Sequence, residues 1–168
     1  MARIFLLTGS NLGNRLEFLQ TAKTELQKQV GNLIQESSIY ETAAWGKTDQ
    51  ADFLNQVLEL ETELKPEEIL KINQEIEKAA GRNRKEKWGA RELDIDILFY
   101  EDLVLNQPDL IIPHPQLQNR RFTLMPLAEI ASDFMHPVFR KTVAELLKNC
   151  PDKLEAKVFS EAKKANQQ

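Results

Sequence analysis

Apolar and polar residues alternate from Glu92 to Ile97, and the apolar Leu98 and Phe99 follow. Leu93, Ile95, Ile97 and Phe99 are apolar, and Glu92, Asp94 and Asp96 stand between them. A period of two predicts a β-strand, on which Asp94 and Asp96 project from one face, roughly 6.6 Å apart. Near the N-terminus, Arg3-Ile4-Phe5-Leu6-Leu7-Thr8 is an almost continuous apolar run cut off by Gly9, which predicts a buried strand. Leu16, Leu19, Ala22, Leu26 and Val30 then recur every three or four residues, the spacing of a core-facing helix. The intervening GSNLGNR matches neither GxGxxG nor GxxxxGK followed by Ser or Thr. It reads as a backbone turn with Asn11 or Asn14 as the helix cap.

A second strand is expected over 33–42, with Ile34, Ser38, Ile39 and Tyr40, and a third over 53–61, with Leu54, Val57, Leu58 and Leu60. Pro66, Glu67 and Glu68 open a helix that Gly81 stops, with Ile69, Leu70, Ile72 and Ile76 as its apolar stripe. Glu77 falls near its end, either as an ordinary surface residue or as the holder of a cation in the next loop. Beyond the acidic strand, Leu103-Val104-Leu105 is a candidate hairpin partner for it. His114 stands between two prolines that fix its backbone on both sides. Helices follow through Leu124, Leu127 and Ile130 and over 142–148, and from Asp152 onward the chain reads as a polar, partly flexible tail. The order βαββαβ, with extra elements behind, predicts an α+β ferredoxin-like sandwich: a mainly antiparallel sheet with helices packed on one face. One domain over 1–168 accommodates it.

Composition narrows the function classes. A hydrophobic content of 42% and a charged content of 29% are those of a soluble globular chain. No apolar run reaches transmembrane length, and the apolar part of MARIFLLTGS is too short for a signal peptide, so a cytoplasmic location without a membrane partner is expected. A net charge of −4 argues against nucleic acid as a partner and leaves small molecules, with a monomer as the expected state. The lone Cys150 excludes an internal disulfide and reads as a packing residue. His114 and His136 lack cysteine partners or short ligand spacing, which argues against zinc.

Positive charge is nevertheless concentrated in one place. Arg82, Arg84, Lys85, Lys87 and Arg91, opposed only by Glu86, lead directly into the acidic strand. Two acceptor-only carboxylates on one face suit magnesium that keeps several waters, and a cluster of cations suits a polyphosphate. Together they read as a magnesium–nucleotide site. The same letters also fit the wet face of a half-covered sheet beside a solvated loop. Another magnesium-dependent nucleotide transferase with a DxD pair, or a non-enzymatic α+β binding module, is equally compatible with spacing alone. Phe53 and Asn55 share a strand face, where a ring can stack on a flat heterocycle and a carboxamide can pair with its edge. A core Phe and a surface Asn would look the same.

The stretch WGARELDIDILF resembles the signature of the 6-hydroxymethyl-7,8-dihydropterin pyrophosphokinases. That signature is a small residue, an arginine, two spacers, then Asp-aliphatic-Asp and further aliphatics. Gly89, Ala90, Arg91, Asp94, Ile95, Asp96, Ile97 and Leu98 fill it. GSNLG resembles the opening of the same family, and the likeness runs over roughly residues 3–150. It implies transfer of a pyrophosphoryl group from ATP to a pterin alcohol in folate biosynthesis, with AMP released and two Mg2+ ions bound by Asp94 and Asp96. Arg82 and Arg91 join those aspartates as the implied catalytic set. The implied ATP contacts are Arg84, Trp88 and Arg91 on the basic stretch, with Ile97, Ile111, His114 and Arg120 beyond it. Trp88 is expected to close over the site. For the pterin the family pattern implies Thr42, Ala43, Trp45, Phe53, Asn55, Asp94 and Phe122. Phe53 replaces a frequent tyrosine, Ala43-Ala44 replaces Pro-Pro, and Trp45 fills a slot where a smaller apolar residue is usual.

Overall fold

The computed structural model describes residues 1–43, 52–81 and 92–160. In chain order they form β1 (Ala2–Ser10), α1 (Arg15–Gln29), β2 (Gly31–Glu36), β3 (Tyr40–Thr42), β4 (Phe53–Thr62), α2 (Pro66–Ala79) and β5 (Asp94–Tyr100). Beyond these come β6 (Leu105–Gln107), β7 (Leu110–Ile112), a 3-10 turn at Leu117–Asn119, α3 (Arg121–Ala131), α4 (Val143–Lys148) and β8 (Ala156–Val158). The main sheet runs β5-β1-β4-β3-β8, with β2 paired to the far half of β4, and every pairing is antiparallel.

The near-continuous apolar run in β1 determines how the layers stack. Ile4 and Leu6 meet Leu19 and Leu26 of α1 and Ile69 and Ile76 of α2. Phe5 and Leu7, turned the other way, meet Leu124 and Leu127 of α3, Val143 and Leu146 of α4, and Cys150. A strand that is apolar at successive positions needs cover on both faces. Helices accordingly pack on both, which corrects the expectation of one covered face. In β5 the register slips at Leu98, so that Leu98 and Phe99 both join the α3 side while Ile95 and Ile97 stay under α1 and α2.

Local signals hold at the helix ends. Asn14 Oδ1 accepts the Glu17 N–H at 3.2 Å to cap α1. Thr142 and Glu145 form a reciprocal capping box at α4. Gly81, at φ 88°, ends α2 in a left-handed turn open to glycine.

Three further expectations are revised. The strand expected over 33–42 is broken at Ser37: its hydroxyl accepts the Val57 N–H at 3.0 Å and its own N–H donates to Val57 O at 2.9 Å. A serine side chain thus replaces a ladder bond to β4 at the junction of β2 and β3. Leu103-Val104-Leu105 does not pair with β5; Leu105 starts β6, which pairs with β7 in a separate two-stranded sheet. The polar stretch after Asp152 supplies β8 on the edge of β3. Asp152 pins it by accepting the N–H groups of Arg121 and Leu154 at 3.1 and 3.0 Å. Among the described residues no helix is long and apolar enough to cross a membrane.

Candidate active site

The strand register brings the site together. Asp94 pairs with Gly9, Gly9 with Asn55, and Asn55 with Tyr40, a single row across β5, β1, β4 and β3. One step along, Asp96 pairs with Leu7 and Leu7 with Val57. Directly opposed residues of antiparallel strands share a face. Leu7 and Val57 lie in the α3 core, so Asp94, Asp96, Asn55 and, by alternation, Phe53 open on the α3 side. Ile97, expected at ATP, points the other way, into the core under α1 and α2. Any contact it makes with nucleotide is through its backbone.

The segment after β7 runs along the outer edge of β5. His114 N donates to Leu98 O at 3.0 Å, and this puts His114 Nε2 3.9 Å from Asp96 Oδ2. Gln116 N donates to His114 Nδ1 at 3.1 Å, so in the neutral ring the hydrogen sits on Nε2 and faces Asp96. Burial, and then the nearby Arg120 charge, push the imidazole down to about 4. At neutral pH the contact with Asp96 is therefore a long polar approach and not an ion pair. Burial also lowers the Arg120 guanidinium from its usual value, while the charges of Asp96 and Asp94 pull it back up. Its Cζ lies 5.7 Å from the Phe122 ring centroid. Phe122 packs on the same α3 core.

Of the other expected contacts, Thr42 is buried at the end of β3, and its Oγ1 has no hydrogen-bond partner among the described residues. Ala43 follows it, exposed. Ile111 is 43% exposed on β7. Trp45, Arg82, Arg84, Trp88 and Arg91 lie outside the described residues.

Sequence reasoning passed over several supporting groups. Arg15, the first residue of α1, donates to Glu41 Oε2 and to Asp52 O, both at 2.7 Å, tying together the chain on either side of 44–51. Glu129 of α3 accepts the Tyr40 hydroxyl at 2.6 Å and the Ser38 N–H at 2.7 Å, locking β3 to the helix over the site. Glu77 is buried, not a surface residue, and its carboxylate accepts the Ile95 N–H at 2.8 Å. All three contacts span 18 or more residues of sequence, and no local pattern marks them.

The donor set can be tested against a divalent cation. Among the described residues no three His, Cys, Asp or Glu side chains gather as a ready-made cage. Neutral His114 has one nitrogen engaged by Gln116 and a hydrogen on the other, so it offers no lone pair. What remains is two carboxylates, with Asp96 41% exposed. An oxygen-only, two-carboxylate set that leaves room for water and phosphate oxygens fits a hard divalent cation such as magnesium better than zinc.

A profile of the 7,8-dihydro-6-hydroxymethylpterin-pyrophosphokinase (HPPK) family matches residues 5–132. The chain is 41% identical over 145 residues to the 2-amino-4-hydroxy-6-hydroxymethyldihydropteridine pyrophosphokinase of Aquifex aeolicus (strain VF5), covering 86% of this chain and 90% of that one. Its identity to the protein of the same name from Porphyromonas gingivalis (strain ATCC 33277) is 43% over 141 residues, covering 82% and 95%. Among solved structures, wild-type Plasmodium falciparum HPPK-DHPS with SDX-DHP has a similar fold, with a TM-score of 0.70 at 18% identity. That likeness takes in 89% of this chain but only 43% of the Plasmodium chain.

Proposed function

The chain belongs to the 7,8-dihydro-6-hydroxymethylpterin-pyrophosphokinase family, and we infer that it transfers pyrophosphate from ATP to the hydroxymethyl group of 6-hydroxymethyl-7,8-dihydropterin, releasing AMP, in folate biosynthesis. The observation that carries this reading is the row Asp94–Gly9–Asn55, which sets the acidic pair and the carboxamide on one face of the sheet. A cation-binding group and a heterocycle-reading group lie side by side there, as transfer between a nucleotide and a pterin requires.

Asp94 and Asp96 would hold the two magnesium ions. When bound, these neutralise phosphate charge and make the pterin hydroxyl a better nucleophile. Phosphoryl chemistry asks little covalent work of a protein beyond positioning and charge compensation, and the remaining side chains supply those. Arg120, half-buried and charged, and the Nε2–H of His114 are donors for phosphate oxygens. Arg82, Arg84, Arg91 and Trp88 belong with them on the nucleotide side by the family pattern, as do Ile97 through its backbone and Ile111. Phe53 and Phe122 stack on the two faces of the pterin, Asn55 reads its edge, and Thr42, Ala43 and Trp45 complete the pocket. The free Oγ1 of Thr42 supports this, since a buried hydroxyl without a partner among the described residues is an acceptor and donor in waiting.

The sheet order β5-β1-β4, with β2 and β3 beyond, supports reading the fold as a ferredoxin-like sandwich extended by α3, α4 and β6 to β8. The protein acts in this reading as a single-domain cytoplasmic monomer on small molecules. The deciding experiment is product analysis: AMP must form in strict dependence on both Mg2+ and 6-hydroxymethyl-7,8-dihydropterin, and formation of ADP would overturn the assignment.

A further inference from the structure

Among the described residues β5 is the outermost strand on its side of the sheet, paired with β1 along one edge. A free strand edge presents unpaired N–H and C=O groups. Contacts from two described residues cover this one, and they bracket Asp96. His114 N donates to Leu98 O at 3.0 Å on one side. On the other, the Glu77 carboxylate accepts the Ile95 N–H at 2.8 Å. Ile95 is the residue between the two aspartates, so this bond holds the backbone on which both are mounted. Glu77 is only 4% exposed. A carboxylate so far removed from water persists only where hydrogen bonds and charge offset its lost hydration.

We propose that Glu77 is a positioning residue for the cation-holding pair, clamping the Ile95 amide and thereby setting the spacing and pitch of Asp94 and Asp96. This rests on the reading of those two residues as the cation site. A carboxylate suits the task because a charge-assisted bond to a backbone N–H is stronger than a neutral one. Aspartate is one methylene too short to reach, and glutamine keeps the reach but not the charge. Groups that orient metal ligands typically change metal affinity about 10- to 100-fold when removed.

The test compares the full chain as wild type, Glu77→Asp, Glu77→Gln and Asp96→Asn. For each, three quantities are read: the Mg2+ concentration that half-saturates binding of a non-hydrolysable ATP analogue, the 1H–15N position of the Ile95 amide, and the melting temperature. Glu77→Asp is expected to raise the Mg2+ requirement about tenfold and to move the Ile95 proton upfield, with Glu77→Gln between it and wild type. A purely structural glutamate would lower the melting temperature and leave the Mg2+ requirement untouched, and that result overturns the proposal. Should Glu77→Asp fail to fold, Glu77→Gln decides, because a wild-type Mg2+ requirement in that variant overturns it equally. Asp96→Asn separates the two levels of inference. If Asp96→Asn leaves the Mg2+ requirement unchanged, the cation site itself is misplaced and the proposal falls with it. If it abolishes Mg2+-dependent binding while the Glu77 variants do not shift it, only the positioning role is lost.

Discussion

Gly9 lies directly beneath the Asn55 carboxamide: a Cβ placed on Gly9 would stand 2.5 Å from Asn55 Oδ1. The absent side chain is what lets Asn55 lie across the sheet beside Asp94. Gly9→Ala is therefore expected to push the carboxamide aside and raise the KM for the pterin about tenfold, with the KM for ATP nearly unchanged. The stability cost should be about 1 kcal/mol, since a side-chain end and not backbone has to yield. Steady-state kinetics with each substrate varied in turn checks this; an equal change in both KM values would disconnect Gly9 from pterin recognition.

Asp96→Ala should reduce AMP formation on the order of 10³-fold or more, the loss of several kcal/mol of transition-state charge compensation. Asp96 is 41% exposed, so the fold should survive and the circular dichroism spectrum should match wild type. Near-normal turnover in a folded variant would remove the acidic pair from the chemistry.

His114 gives the protein a defined acid sensitivity. Its folded value, about 4, lies below the ordinary 6.5 because of burial and Arg120. Between those values the unfolded chain takes up a proton that the folded one refuses, so the contribution is complete above pH 6.5 and is lost as pH falls toward 4. The span corresponds to about 3–4 kcal/mol at most. The stability difference between wild type and His114→Gln, from urea unfolding at pH 7.5, 6, 5 and 4.5, should shrink in that window. A difference that stays constant with pH would contradict the buried neutral ring.

Tyr40 is pushed up to about 12 by burial and by the hydrogen bond and charge of Glu129. Its neutral form is thus the one the fold selects, and stability falls as pH rises from 10 toward 12. Burial, followed by Glu101, also raises Tyr100, and these are the chain's two tyrosines. Absorbance titration should accordingly show little phenolate at pH 10. Tyr40→Phe should cost about 1 kcal/mol, the loss of one hydrogen bond to an exposed carboxylate that keeps its bonds from Ser38, and leave the Tyr100 transition alone. A normal phenol titrating near 10 in wild type would refute the Tyr40–Glu129 lock.

Period and punctuation along the chain were enough for the helices and the acidic strand. Asn14, Gly81 and Thr142 bound their helices through bonds that close within a few residues, and Pro66 opens its helix by its fixed backbone angle, so the letters around them carry the whole signal. The alternation in 92–97 likewise set Asp94 and Asp96 on one face, because a strand's side-chain direction follows from its pleat alone.

Which residues that face would meet was a matter of register and of packing at long range. Asp94 reaches Asn55 only through Gly9, and His114 reaches Asp96 only because its N–H finds Leu98 on the open edge of β5. Ser37 breaks an expected strand, Asp152 recruits an expected tail into the sheet, and Glu77 turns from a surface position into the core. Each outcome depends on a partner at least 18 positions away. Residue type and local spacing therefore decided the elements and the chemistry they can carry. Tertiary structure alone decided which groups stand together, because a hydrogen bond or a shared core depends on distance in space and not along the chain.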